Sequence, residues 1–170
     1  MDIRKALLAE HSKRMTTAIT DHVADDAGRF RVLARLFLGP DPLIAQRAGW
    51  PLSNAVERNP ELATPYLSVF VDQLTRNDVH NAVKRNVVRL LQFVDIPERL
   101  QGKVFSHCLD LIADPREPIA VKAFSITVAE RIAQADQALV DELKLVAGPL
   151  VKNASPGLRV RLRKMFPELR

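Results

Sequence analysis

The sequence predicts an all-α protein built from stacked helix pairs. Helical periodicity runs the length of the chain, and strand signals are weak. β-branched clusters such as Val87-Val88 lie inside helical patterns, and no Asn-Gly or Asp-Gly hairpin turn occurs. The helical stretches are interrupted at regular distances, and the residues between the interruptions recur. Leu36, Leu74, Ile112 and Leu150 are spaced by 38 residues at each step, as are Phe70, Cys108 and Val146, and Leu67, Phe105 and Leu143. A single helix pair cannot bury its apolar faces alone, so a phased repeat of this kind implies neighbours sharing one continuous core.

The interruptions fall at Gly39-Pro40-Asp41-Pro42, Asn59-Pro60, Arg76-Asn77-Asp78, Ile96-Pro97, Asp114-Pro115, Ala135-Asp136 and Asn153-Ala154-Ser155-Pro156. Each combines a proline or a capping residue, so each ends one helix and starts another. The pairs are expected at 26–38 with 43–57, 61–75 with 79–94, 97–113 with 117–133, and 136–152 with 155–166. Residues 2–24 make a further helix or two at the front. Pro51, inside a second helix, and Pro149 are expected to kink their helices.

Composition allows such a core. The chain has 170 residues, 47% apolar and only 5% aromatic. One domain over 1–170 is expected, and it needs neither disulfide nor metal to fold. Cys108 is the one cysteine, in the apolar run Val104-Phe105-Ser106-His107-Cys108-Leu109, where an inert buried thiol is expected. The start, Met1-Asp2-Ile3-Arg4-Lys5, is no signal peptide, and no stretch approaches the ~18 apolar residues of a membrane span. A soluble cytoplasmic protein is the expectation. The net charge of +5 is concentrated in residues 153–170, where Arg159, Arg161, Arg163, Lys164 and Arg170 face Glu168 alone.

Each first helix is followed by a turn with Asp41, Asp78, Asp114 or Asn153. Six to eight residues later comes a cation: Arg47, Lys84, Lys122 or Arg159. Ala82-Val83-Lys84 reappears as Ala120-Val121-Lys122. An apolar helix, an Asp turn and a Val-Arg/Lys opening of the second helix resemble the HEAT repeat, over about residues 26–166. The segments around Gln46-Arg47-Ala48-Gly49-Trp50-Pro51, Val83–Gln92 and Ala120–Ser125 are also similar to a group of small bacterial HEAT-like proteins. The resemblance implies an all-α, right-handed α-α superhelix of about four helix pairs, with residues 1–25 as an N-terminal cap. It implies hydrogen bonds between turn Asp and helix Arg/Lys, second helices lining a concave side, and a protein partner bound there by a non-enzymatic module.

Catalytic and metal chemistry find little support. His11, His22, His80 and His107 form no H-E-x-x-H pair, and a lone cysteine makes no Cys-rich zinc site. No G-x-S-x-G elbow or phosphate-binding glycine loop occurs. Asp25-Asp26 and Asp141-Glu142 read as solvated or helix-dipole residues. No cofactor is expected.

The basic residues are the candidates for binding. Arg85 and Arg89, four apart, share the face of their helix opposite Val83, Val87, Leu90 and Leu91. Arg47, Lys122 and Arg159 occupy equivalent places on other second helices, and Arg163 extends the last one. Such a row is either a structural ladder neutralised by Asp41, Asp78 and Asp114, or a binding row for an acidic protein, a phosphate ligand or a nucleic acid backbone. Trp50, three residues after Arg47, is either a core residue or a partner's anchor. The candidate partner-binding residues are therefore Arg47, Trp50, Arg85, Arg89, Lys122, Arg159 and Arg163. A homo-oligomer is possible, since a second copy would cover an open end. The alternative is a nucleic-acid-binding or DNA-repair protein. One HEAT-like group, the alkylpurine DNA glycosylases, uses a basic concave face with aromatics and an Asp, but this chain is shorter and offers only Trp50 and Arg47 toward such a cluster.

Overall fold

A computed structural model describes residues 1–169. The chain divides into two compact units, Met1–Ile96 and Pro97–Arg170. Among the described residues every regular element is a helix. The first unit holds α1 (Ile3–Ala9), α2 (Lys13–Val23), α3 (Ala27–Phe37), α4 (Pro42–Arg58), a 3-10 segment (Pro60–Tyr66), α5 (Leu67–Thr75) and α6 (Asn81–Leu91). The second holds α7 (Glu98–Ala113), α8 (Ile119–Ala133), α9 (Gln137–Ala147), a 3-10 segment (Gly148–Asn153) and α10 (Pro156–Met165).

The helices start where the sequence offers an oxygen or nitrogen to their free N–H groups. Asp2, Ser12, Asp26, Asp41, Asp136 and Ser155 accept from the first turn of α1, α2, α3, α4, α9 and α10. Asp78 does not take this role for α6. His80 does, its Nδ1 accepting from Ala82 N–H at 3.1 Å, so α6 begins two residues later than expected. Prolines also redraw two helices. The stretches 61–75 and 136–152 each break into a 3-10 segment and an α-helix, at Pro60/Pro65 and at Pro149. Proline supplies no N–H, and its ring crowds the carbonyl four residues back, so the tighter winding is favoured. Pro51 is accommodated inside α4, which runs unbroken to Arg58.

In the first unit the second helices are neighbours in series: α4 packs against α2 on one side and α6 on the other, with α3 beneath. Residues 2–24 thus form a helix pair, α1 and α2. The first-helix layer carries an aromatic seam. Phe70 meets Phe37 edge-on with ring centroids 5.8 Å apart, and Tyr66 lies 5.8 Å from Phe70 and 5.9 Å from Phe30. In the second unit α7 packs against α8 and α9, and α8 against α9. Of the phased residues, Leu74, Ile112, Leu67, Phe105, Leu143, Phe70 and Cys108 are buried, whereas Leu36, Val146 and Leu150 are only half-buried.

α4 and α6 approach closely at Gly49. A Cβ there would lie 2.5 Å from Asn86 Nδ2 and 2.8 Å from its Cγ, and that amide is held by Ala82 O at 2.8 Å. Gly49 is needed for space, since no described residue has positive φ. Gly49→Ala should cost about 1–2 kcal/mol in chemical denaturation, because overpacking outweighs the helix-propensity gain of up to about 1 kcal/mol. Adding Asn86→Ala should recover most of the loss; two costs that simply add would show that the contact is not the cause.

Candidate functional site

The absence of positive φ has a second consequence. Helices commonly end on a left-handed residue that closes their last carbonyls, and no described helix here does. Three cations of the expected ladder perform that task. Arg47 Nη1 donates to Leu7 O at 2.9 Å and Leu8 O at 3.1 Å, at the end of α1. Lys122 Nζ donates to Ile112 O and Asp114 O, both at 2.7 Å, at the end of α7. Arg159 donates to Val151 O at 3.2 Å and Ala154 O at 3.1 Å, after the second 3-10 segment. A cation at a helix C-terminus also meets the negative end of the helix dipole.

The ladder therefore differs from the expected Asp–Arg/Lys pairing. Asp41 accepts from Leu43 and Ile44 N–H and pairs with Arg4 at 3.8 Å. Asp78 is engaged by Arg76. The Asp114 carboxylate is taken by Arg116, through its backbone N–H and its guanidinium. Those bonds, more than the nearby Lys122 charge, bring the Asp114 pKa down to about 2. A lowered folded-state value means stability that is present above the ordinary carboxylate pKa and is lost as pH falls toward about 2. Urea unfolding of Asp114→Asn should accordingly show a shallower loss of stability between pH 4 and pH 2 than the unaltered chain. Equal slopes would refute this coupling.

Two arginines do a different job, joining successive second helices. Arg89 on α6 donates to Ser53 Oγ at 2.6 Å and Asn54 Oδ1 at 2.8 Å on α4, and lies 3.6 Å from Glu57. Desolvation lowers its pKa and Glu57 opposes the shift, which leaves an arginine charged at any physiological pH. Arg161 on α10 repeats the arrangement on α8, with Thr127 Oγ1 at 2.6 Å and Glu130 Oε2 at 2.9 Å. In the sequence Arg161 counts only toward the basic charge of residues 153–170, and this role was missed. The signal was present: a hydroxyl followed within a turn by a glutamate, Ser53…Glu57 and Thr127…Glu130.

Trp50 lies at the centre of the outer face of α4. Ile44, Ala45, Ala48, Gly49, Leu52, Ala55 and Val56 point inward, and at 100° per residue Leu43, Gln46, Trp50 and Glu57 fall together on the opposite side. Trp50 is 39% exposed and Leu43 44%. Ser53 Oγ donates to the Trp50 carbonyl at 3.0 Å while accepting from Arg89, which ties the turn carrying Trp50 to α6. Arg85, half-buried, shares the outer face of α6 with Arg89. In the second unit Arg163 is exposed, Lys122 is buried and Arg159 half-buried. In the first unit Arg47 and Trp50 thus stand on α4 and Arg85 and Arg89 on α6, with Arg47 turned to the end of α1 and Arg89 reaching across to Ser53 and Asn54 of α4. Lys122 and Arg159 are interior caps of the second.

Burial pushes the Cys108 thiol up to about 12, so it is protonated and unreactive at neutral pH. Among the described residues no group of three or more His, Cys, Asp or Glu has metal-holding geometry, and no helix is long and apolar enough to cross a membrane. A hollow of about 710 Å³ beside the end of α9 is lined by Leu145, Pro149, Val151 and Leu169; none of the predicted binding residues lines it.

The model of one family, the HEAT repeat domain, matches residues 3–168. The chain belongs to that family. Comparison with the curated proteins and with the solved structures gives no match. The match takes in α1 and α2 along with the later helices. HEAT repeat domains are generally repeat scaffolds for protein interaction.

Proposed function

We propose that this HEAT repeat chain is a non-enzymatic scaffold that binds a protein partner through the outer face of its second helices, with the α4–α6 surface as the principal contact. The observation that supports this reading most is Trp50: the chain's one tryptophan stands on the exposed face of α4 with Leu43, and Arg47 lies one turn before it on the same helix. Partly exposed tryptophan and arginine are the residue types that dominate protein interfaces. Second helices are also the usual contact layer of HEAT-like proteins. Lys122 and Arg159, spent on backbone carbonyls, are assigned to stability rather than contact, and Arg163 to a peripheral basic surface.

A photo-crosslinking residue at Gln46, exposed on the same face, should capture a host protein that the same group at Arg31, on the outer side of α3, does not. Trp50→Ala, with an unchanged helical spectrum, should weaken that capture by at least tenfold, the loss of about 2 kcal/mol or more typical of an interface anchor. Equal capture from both positions, or capture indifferent to Trp50, would assign the contact elsewhere.

A further inference from the structure

We infer that the occupant of the α4–α6 face is an acidic amphipathic helix of a partner protein, seated along α4 with apolar side chains on Leu43 and Trp50 and a carboxylate on Arg47. This inference rests on the reading just given and specifies the chemistry of its partner.

The argument begins with spacing. Leu43, Arg47 and Trp50 run along one side of α4, with Leu43 and Trp50 separated by seven residues, or two turns. That is a rise of roughly 10 Å. A helix laid along α4 presents side chains at the same interval when they are seven apart in its own sequence, and its residue between them faces Arg47. Charge comes next. Both acceptors of Arg47 Nη1 are uncharged carbonyls, and among the described residues no carboxylate forms an ion pair with its guanidinium. A carboxylate arriving from outside supplies that counter-charge. Exposed apolar side chains on either side exclude water from such a pair, which strengthens it.

The same face argues against a nucleic acid backbone. Asp41 lies at one end of α4 and Glu57 near the other, their side chains 45% and 49% exposed. A continuous row of phosphates lying along α4 would meet both. An amphipathic helix places its carboxylates singly and leaves these ends clear. One exposed tryptophan between two carboxylates also makes a poor platform for successive bases.

The lone Trp50 is its own reporter. A synthetic tryptophan-free helix with leucines seven apart and glutamates between them should shift Trp50 emission to the blue. It should bind about three- to fivefold more tightly at low salt than the same helix with glutamines, as one favourable ion pair with Arg47 would give. The difference should close near 1 M salt, where screening acts within about 3 Å. Gln46→Glu, an exposed change that leaves the fold intact, should weaken the glutamate helix and spare the glutamine helix. Equal affinity of the two helices, with Trp50 responding to both, would overturn the acidic preference and leave the docking face standing. Tighter binding of duplex DNA than of the glutamate helix would overturn the inference in favour of a polyanion. If neither helix perturbs Trp50 while the Gln46 crosslink still finds a partner, the inference fails alone; if that crosslink also fails, the underlying reading falls with it.

Discussion

Lys122→Met should lower the stability of the protein by about 1–2 kcal/mol, a drop in melting temperature of roughly 2–8 °C for a chain of this length. Lys122 is only 7% exposed, and removing a buried charge is often harmless when its partner goes with it. Here the partners are the backbone carbonyls of Ile112 and Asp114, which no substitution removes. An acceptor left buried without a donor costs about 1–3 kcal/mol, and Ile112 O is left so, whereas the part-buried Asp114 O still accepts from Glu117 N–H at 3.2 Å. Methionine restores most of the lost packing and relieves the desolvation of an ammonium, so the net stays in the lower part of that range. Lys122→Arg separates capping from packing. It keeps donors and charge, as Arg159 does at the corresponding place, and should recover part of the loss despite its bulk. Thermal melts by circular dichroism give the comparison. A Met variant as stable as the unaltered chain would show that water or a local shift replaces the amine.

Much of this was legible in the sequence, for reasons that also mark where legibility stopped. Proline and capping residues announce helix boundaries because they act on the backbone within one or two residues. Asp26, Asp41 and Asp136 were therefore readable as starts. Asp78 and Asp114 were not, because an aspartate in a turn has several donors in reach and the nearest here are Arg76 and Arg116. The 38-residue phase located the shared interior, since buried faces must recur at the period of the structural unit. It failed at Leu36, Val146 and Leu150, where neighbouring residues take the inner place: Phe37 on α3, Ala147 on α9 and Val151 after the turn that Pro149 tightens.

Side-chain destinations were harder still. The cations recur at the same phase and were readable as a ladder. What they bond to depends on which carbonyl is left open at a neighbouring helix end, a property of backbone geometry that residue types do not encode. Arg47 illustrates this. Lys122 and Arg159 close carbonyls five to ten residues back, whereas Arg47 reaches forty residues back to α1. The exposure of Trp50 was likewise open between core and surface, because its position follows from which face of α4 its neighbours fill.

Phe70→Ala should be the most costly single truncation in the first unit, at about 3–5 kcal/mol. Phe70 is fully buried and lies between Phe37 and Tyr66, each with its ring centroid 5.8 Å away. Truncation loses the transfer free energy of the ring, leaves a void between two aromatic neighbours and breaks two ring contacts worth about 0.5–1.5 kcal/mol each beyond their area. Cys108 occupies the same phase of the repeat in the second unit and is also fully buried. Cys108→Ala removes one sulfur atom, and its thiol, protonated and unreactive, adds no further contribution. Its cost should be about 1 kcal/mol, near that of one buried methylene-sized group. The pair therefore tests whether burial or volume sets the energetic weight of a repeat position. Burial is equal at the two sites, so a difference of several-fold assigns the weight to the volume and its contacts. Urea unfolding followed by Trp50 emission reads the first unit directly, and amide exchange along α7 and α8 reads the second. Comparable losses at Phe70 and Cys108 would mean that the aromatic seam contributes no more than an ordinary small core contact.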